Sequence, residues 1–220
     1  MQPGLRTVEG ELGAGLQKAF AAHSGLTVAG RTDAGVHALA NVASVDVQGG
    51  PPTARAAEAV NAHLPPDLAV IAAEEVSGDF HARHSAGSRA YRYRIFRRRE
   101  RSPFEERRSW WYPRPIEEEL LAEAADLLLG EHDFRAFTPA ETQHKSFVRT
   151  VKHAAWHRRA DVLEFEIEAN SFLRHMVRTL VGTMVELPPA DLEGLLRGAE
   201  RREAGSTAPA CGLYLERVSY

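Results

Sequence analysis

Val148-Arg-Thr-Val-Lys-His-Ala-Ala-Trp-His157 and Val162-Leu-Glu-Phe-Glu-Ile-Glu-Ala169 read as the two strands of a β-hairpin joined by a turn over 158–161. The residues that follow, 172 to about 187, read as a helix. Strands and helices recur on the other side of the midpoint. Val8, Leu12, Leu16, Ala19 and Phe20 mark a helix over 7–23, with Thr7 as N-cap, Glu9 and Glu11 in the first turn and Gly25 as stop. Strands follow at 26–29 and 42–47, joined by the loop Gly30-Arg-Thr-Asp-Ala-Gly35. Thr53 caps a short helix to Ala62, Leu64-Pro-Pro-Asp67 breaks it, and 68–76 and 89–98 read as strands. Pro113 and Pro115 introduce a helix over 116–129 that ends at Gly130; a short helix at 192–197 and a strand at 212–218 complete the chain. Helices and strands without strict alternation predict an α+β fold with a largely antiparallel sheet. No low-complexity linker is present, so the two halves, 1–100 and 101–220, are expected to share one continuous sheet.

Composition narrows the class of function. The chain has 220 residues, 44% hydrophobic and 26% charged, which excludes disorder, collagen-like repeats and a disulfide scaffold. A single cysteine, Cys211, can form neither an internal disulfide nor a Cys-rich zinc site, which points to a reducing compartment, the cytoplasm. No apolar run approaches the ~18 residues of a membrane span, and Met1-Gln2-Pro3-Gly4 lacks the basic and apolar regions of a secretion signal. Net charge is only −3, but its distribution is uneven. Between His81 and Arg114 eleven arginines face three acids, a local +8 that suits a phosphate-binding face.

Four clusters are candidates for chemistry. Gly30 and Gly35 bracket Asp33 and leave its carboxylate open to a ligand, and in an extended backbone Arg31 projects to the same side and lowers its pKa. An ionised carboxylate there suits a nucleophile or base, while an Asx turn and a solvated Arg-x-Asp pair fit the same spacing. Tyr91 and Tyr93 alternate with Arg92 and Arg94 on one strand, which suits an unstacked base and its phosphates; period-two aromatics are also core residues, and one of the two tyrosines is expected to be core. Arg174 and Arg178, at i and i+4 on a helix, need an anion such as Asp33 or an ordinary structural partner. His81/His84 and His153/His157 have metal-like spacings but lie on extended segments without a third ligand in view, so no metal is expected; of the pairs, only His153 and His157 would face the same way. Neither GxGxxG nor GxxxxGK[ST] occurs, which removes the nucleotide phosphate loops.

Gly30-Arg-Thr-Asp-Ala-Gly-Val-His-Ala38 resembles the active-site signature of the tRNA pseudouridine synthase A family. Further similar blocks follow in order: Asn61-Ala-His-Leu-Pro65, Asp79-Phe-His-Ala-Arg83, Arg89-Ala-Tyr-Arg-Tyr93, Gly130-Glu-His-Asp-Phe134, Asn170 to Gly182, and Ala208-Pro-Ala-Cys-Gly-Leu-Tyr-Leu215. The resemblance implies two pseudo-symmetric halves sharing a mainly antiparallel sheet around a central cleft. It implies isomerisation of uridine to pseudouridine at positions 38–40 of the tRNA anticodon stem-loop, without cofactor or metal, by a homodimer whose tRNA contacts both subunits. By the same resemblance Asp33 is the catalytic carboxylate, Arg31 fills the space of the flipped nucleotide, Tyr91 stacks on the target uracil, Arg178 pairs with Asp33 and Leu213 walls the pocket. Arg89, Arg92 and Arg94 are expected to meet RNA phosphates.

One segment departs from the pattern. Family members begin with a strand and a Tyr-Asp-Gly to Gly-Trp-Gln segment, whereas here Met1-Gln2-Pro3-Gly4-Leu5-Arg6 leads straight into the first helix. Loss of a sheet strand would expose backbone groups and an apolar strip. The alternative expectation is therefore a tRNA-binding protein of the same fold with impaired turnover. A second rival, an Asp-dependent hydrolase, would release free uracil.

Overall fold

The computed structural model describes residues 4–142 and 144–220; Met1 to Pro3, on which the departure at the start rests in part, lie outside the described residues, as does Gln143. The elements in chain order are α1 (Val8–Ala19), β1 (Ala22–Val28), β2 (His37–Ala38), β3 (Ala43–Gln48), α2 (Thr53–Asn61), β4 (Ser88–Phe96), β5 (Trp110–Trp111), α3 (Glu118–Asp126), β6 (Gly130–Asp133), β7 (Val148–Arg159), β8 (Val162–Ala169), α4 (Met176–Glu186), α5 (Pro189–Leu195) and β9 (Leu213–Ser219). Among the described residues no helix is long and apolar enough to cross a membrane. The chain forms two compact units, 1–31 with 42–86, and 32–41 with 87–220. Strand β4, in the first half by sequence, belongs to the second of these units.

In the smaller unit Thr7 caps α1 by accepting the Gly10 N–H at 3.1 Å, with Glu9 and Glu11 in the first turn, as expected for a favourable helix dipole. The apolar stripe of α1 meets α2 through Leu16, Phe20, Ala56 and Val60, with Leu12, Leu26, Val45 and Leu64 packed around them. β1 and β3 pair antiparallel as a sheet of their own, so the single continuous sheet expected from the sequence is corrected to two. The strand expected at 68–76 is also absent: the segment has no ladder partner, and Ile71 and Val76 remain 81% and 55% exposed. It is tied down instead by Asn61, whose side chain donates to the Val70 carbonyl at 2.8 Å and accepts the Val70 N–H at 2.7 Å.

The larger unit holds the seven-stranded sheet, in the order β2-β9-β4-β8-β7-β6, with β5 beside the end of β4. Among the strand pairs of the described residues, the short pairs β2–β9 and β4–β5 are parallel and the others antiparallel, in keeping with the predicted α+β class. The hairpin over β7 and β8 forms where the sequence placed it. Period two sorts β4 into faces. Tyr91, Tyr93 and Ile95 join the core with Phe165 and Ile167 of β8 and Leu213 and Leu215 of β9, under α3 (Leu121, Ala124) and α4 (Val177, Leu180, Val181).

Glycine lets a chain segment lie close against α4. A Cβ on Gly182 would stand 1.9 Å from the Ser206 carbonyl oxygen, and only its absence lets residues 205–208 run along the helix. Hydrogen bonds then lock this contact: Gly205 N–H donates to the Thr183 hydroxyl and Ser206 N–H to Glu186 Oε2, at 3.1 and 2.8 Å.

Candidate active site

Asp33 sits on a loop that is stapled to the larger sheet. Its main-chain carbonyl accepts the Val36 N–H at 3.1 Å, and Gly35, at φ 85°, completes the turn. The chain then enters β2, where His37 lies opposite Tyr214 and Ala38 opposite Leu215, and the Leu39 N–H donates to the Leu215 carbonyl at 2.8 Å. The His37 ring stacks on Tyr214 at 4.5 Å between centroids, and its Nε2 bonds the Arg107 carbonyl at 2.7 Å. Because the main chain closes the turn, the Asp33 carboxylate is left to reach elsewhere. Its Oδ2 accepts Nη1 of Arg178 at 2.8 Å, across 145 residues of sequence, which favours the offered carboxylate over the Asx turn.

Arg178 is aimed as well as charged. Its Nε donates to the Ala208 carbonyl at 2.8 Å, and the Ala208 N–H donates back to the Arg178 carbonyl at 3.1 Å. A planar guanidinium fixed at one edge has its other edge directed, so Nη1 cannot leave Asp33 without breaking the bond to Ala208. The Gly182 contact therefore reaches the site, since it sets where Ala208 lies. The pair is half-sheltered, with side-chain exposures of 31% for Asp33 and 15% for Arg178. His175 joins it, with Nε2 3.4 Å from the same Oδ2.

Tyr91 lines the core face of β4 and packs edge-on against Phe172, 4.9 Å between ring centres. Burial pushes its hydroxyl pKa up to about 12; Arg89 works against that rise and the Asp33 charge adds to it. The phenol is thus a neutral donor at physiological pH. Tyr93 is the fully buried member of the pair, donating to the Pro209 carbonyl at 2.8 Å, and burial likewise raises its pKa. Leu213, also buried, stands opposite Tyr93 at the start of β9.

The arginines divide. Arg31 is 76% exposed and lies 3.7 Å from Glu9, so the cation that meets Asp33 is Arg178 and not the neighbour two residues away. Arg89 donates to the Asn170 carbonyl at 3.3 Å. Arg92 and Arg94 occupy the face of β4 opposite Tyr91, where their charges are already matched: Arg92 pairs with Glu216 and Glu164, at 2.7 and 3.3 Å, and Arg94 with Glu105 and Glu164, at 3.2 and 3.3 Å.

For metal ligation, the described residues bring one group together. His153, His157 and Glu166 place their donor atoms within 4.8 Å of one another, over Ala155, which faces Glu166 across the strands. The sequence reading paired the histidines on one face but missed the carboxylate, which comes from the neighbouring strand. Arg159 lies 3.8 Å from Glu166 as a competing partner. His81 Nδ1 accepts the N–H groups of Arg83 and His84 at 3.2 Å and so caps its own turn. The sequence reading also missed His175, Phe172 and the Ala208 carbonyl. None has a periodic signal: the expected helix ran from 172, whereas α4 begins at Met176 behind a left-handed His175.

A family model described as tRNA pseudouridine synthase matches residues 124–220. The chain is 43% identical over 224 residues to tRNA pseudouridine synthase A of Thermus thermophilus, covering 99% of this chain and 88% of that protein. It is 42% identical over 220 residues to the protein of that name from Paramagnetospirillum magneticum (97% and 86% covered) and 41% identical over 219 residues to that of Moorella thermoacetica (97% and 89%). With the signature loop, its aspartate bonded to Arg178 of α4, the buried tyrosine of β4, and this identity along nearly the whole chain, the protein belongs to the tRNA pseudouridine synthase A family.

Proposed function

We propose that this chain is an isomerase that converts uridine to pseudouridine in tRNA, at positions 38–40 of the anticodon stem-loop, with Asp33 as its catalytic carboxylate. The observation that carries the assignment of Asp33 is the 2.8 Å bond from Arg178 Nη1 to Oδ2, on a side chain freed from its own turn. In the reaction the N1–C1′ bond breaks, the uracil turns in place, C5 bonds to C1′ and gives up its proton, and N1 takes one up, so that product and substrate are isomers. Asp33 adds to the sugar, adds to the ring or removes a sugar proton; each route needs the carboxylate anion, which has the Arg178 guanidinium bonded to its Oδ2. Tyr91 presents its ring to the base, Leu213 forms an apolar wall, and Arg31 takes the space of the extruded nucleotide. Base–aromatic stacking of about 1–3 kcal/mol offsets part of the cost of flipping. Of the three strand arginines expected at phosphates, Arg92 and Arg94 are bound up in ion pairs, which weighs against that role for these two. We further infer a cytoplasmic homodimer with tRNA touching both subunits.

Incubation of an unmodified tRNA transcript with the enzyme tests this reading. Pseudouridine should appear in the anticodon stem-loop, and Asp33→Asn should abolish it while tRNA affinity stays within about threefold. Free uracil with an abasic site would point to a hydrolase, and tRNA binding without product to an impaired binder. Sedimentation at micromolar concentration tests the dimer.

A further inference from the structure

Two nitrogens, one hydrogen-bonded and one in ion-pair range, converge on a single oxygen of Asp33. Arg178 Nη1 lies 2.8 Å and His175 Nε2 3.4 Å from Oδ2. Among the described residues no side chain or main-chain N–H donates to Oδ1. The backbone of His175 is unusual: φ is 63° and ψ −3°, the left-handed region that a side-chain-bearing residue rarely adopts. A strained conformation persists only where the surroundings hold it, and such residues collect at functional sites. The helix it precedes does not account for it, because the His175 side chain makes no capping bond to α4. What the conformation does is turn the imidazole towards Asp33.

We propose that His175 is a positioning residue for Asp33: its Nε2–H and the Arg178 Nη1–H together pin Oδ2, so that Oδ1 is the oxygen presented to substrate. The terminal torsion of an aspartate is broad and nearly two-fold, so one donor leaves the two oxygens free to exchange, while two donors of fixed origin select one. The groups facing His175 fit this role. Burial lowers its pKa, the Asp33 charge opposes that, and Arg178, Arg174 and Arg201 add to it, which keeps the ring neutral at physiological pH. A neutral ring donates to the carboxylate without neutralising its charge.

The inference rests on Asp33 being the reactive carboxylate, and the experiment separates the two. Initial rates of pseudouridine formation are measured across tRNA concentrations for the wild type, Asp33→Asn, and His175 changed to Ala, Gly, Asn and Gln, with the Tm of each. His175→Ala and His175→Gly should lose about tenfold or more in kcat, as expected for a lost bond to a charged group, with KM within twofold. His175→Gly covers the case in which Ala disturbs folding, since glycine suits the left-handed backbone. Gln reaches about as far as Nε2 and should recover most of kcat; Asn tolerates the backbone but falls short and should not. Wild-type kcat in the Ala and Gly variants, a change confined to KM, or Gly and Asn recovering as fully as Gln would each overturn the proposal. An active Asp33→Asn would instead overturn the assignment of Asp33 itself.

Discussion

Gly182→Ala adds one methyl group at a site with no room for it. The new Cβ would lie 1.9 Å from the Ser206 carbonyl oxygen and 2.9 Å from its carbon, both backbone atoms that no rotamer change can clear. Residues 205–208 must therefore move by more than 1 Å to reach van der Waals contact at ~3.2 Å or beyond. That shift loosens the bonds of Gly205 N–H to Thr183, Ser206 N–H to Glu186, and Arg178 Nε to Ala208, made at 3.1, 2.8 and 2.8 Å. At roughly 1 kcal/mol each they sum to about 3 kcal/mol. The better helix propensity of alanine returns up to about 1 kcal/mol, for a net loss of about 2 kcal/mol. For a chain of this length that lowers Tm by about 4–8 °C. Turnover should fall further than stability does, because Ala208 directs Arg178 towards Asp33. Gly194→Ala, at an exposed position of α5 with nothing within 4 Å of the added atom, is the control and should melt at or slightly above the wild type. Thermal melts and single-turnover rates at a temperature well below both transitions make the comparison. A Gly182→Ala protein that melts within 1 °C of the wild type and turns over normally would refute the claim that this close approach builds the site.

Three other outcomes follow from the same contacts. Arg178→Lys keeps the charge but cannot bond the Ala208 carbonyl and Asp33 from one planar group, so kcat should drop roughly 10–100-fold with tRNA affinity little changed, read by rate and filter-binding assays. Glu164 is buried among Arg92, Arg94 and Arg159, at 3.3, 3.3 and 2.9 Å; Glu164→Gln leaves that charge unmatched and should cost about 3 kcal/mol in urea unfolding, with Arg92→Gln in the same background recovering part of it. Glu168 has its pKa lowered first by the Ser88 hydroxyl and then by Arg217, each at 2.6 Å. A depressed folded-state pKa contributes stability that is full above the unfolded value of about 4.3 and is lost as pH falls through the folded one, so Ser88→Ala should weaken the protein at pH 6 and make its stability less steep below pH 5.

Where the sequence reading succeeded and where it failed share one physical origin. The faces of β4 were legible, since period two is a property of any strand, but which tyrosine is fully enclosed depends on the Pro209 carbonyl, over a hundred residues away, that satisfies the Tyr93 hydroxyl. The hairpin of β7 and β8 was legible because its partner is local. Residues 68–76 have the apolar content of a strand and are not one: a ladder needs a neighbour, and nothing in an isolated run says whether the fold will supply it. The two-residue β2, which carries the Asp33 loop to the sheet, is too short for any periodicity to show. Left-handed His175 is invisible for a related reason, since a backbone conformation imposed by tertiary contacts leaves no mark in spacing.

The arginine-rich stretch shows how local charge becomes spatial charge. Read along the chain, residues 81–114 carry +8 and look like a phosphate face. In the sheet, Arg92 stands opposite Glu166 on β8 and Arg94 opposite Glu164, and β9 adds Glu216, so acids from the far end of the chain meet these cations in cross-strand register. An antiparallel ladder sets opposite charges side by side and cancels their field over a few ångströms, while Arg31, outside the sheet and paired only distantly with Glu9, keeps most of its field in solvent. Electrostatic attraction for an RNA backbone therefore depends less on how many arginines β4 holds than on which of them the sheet leaves unmatched. Neutralising Arg31 should reduce the salt dependence of tRNA binding by about one phosphate's worth, whereas neutralising Arg92 should leave that slope unchanged and lower stability instead.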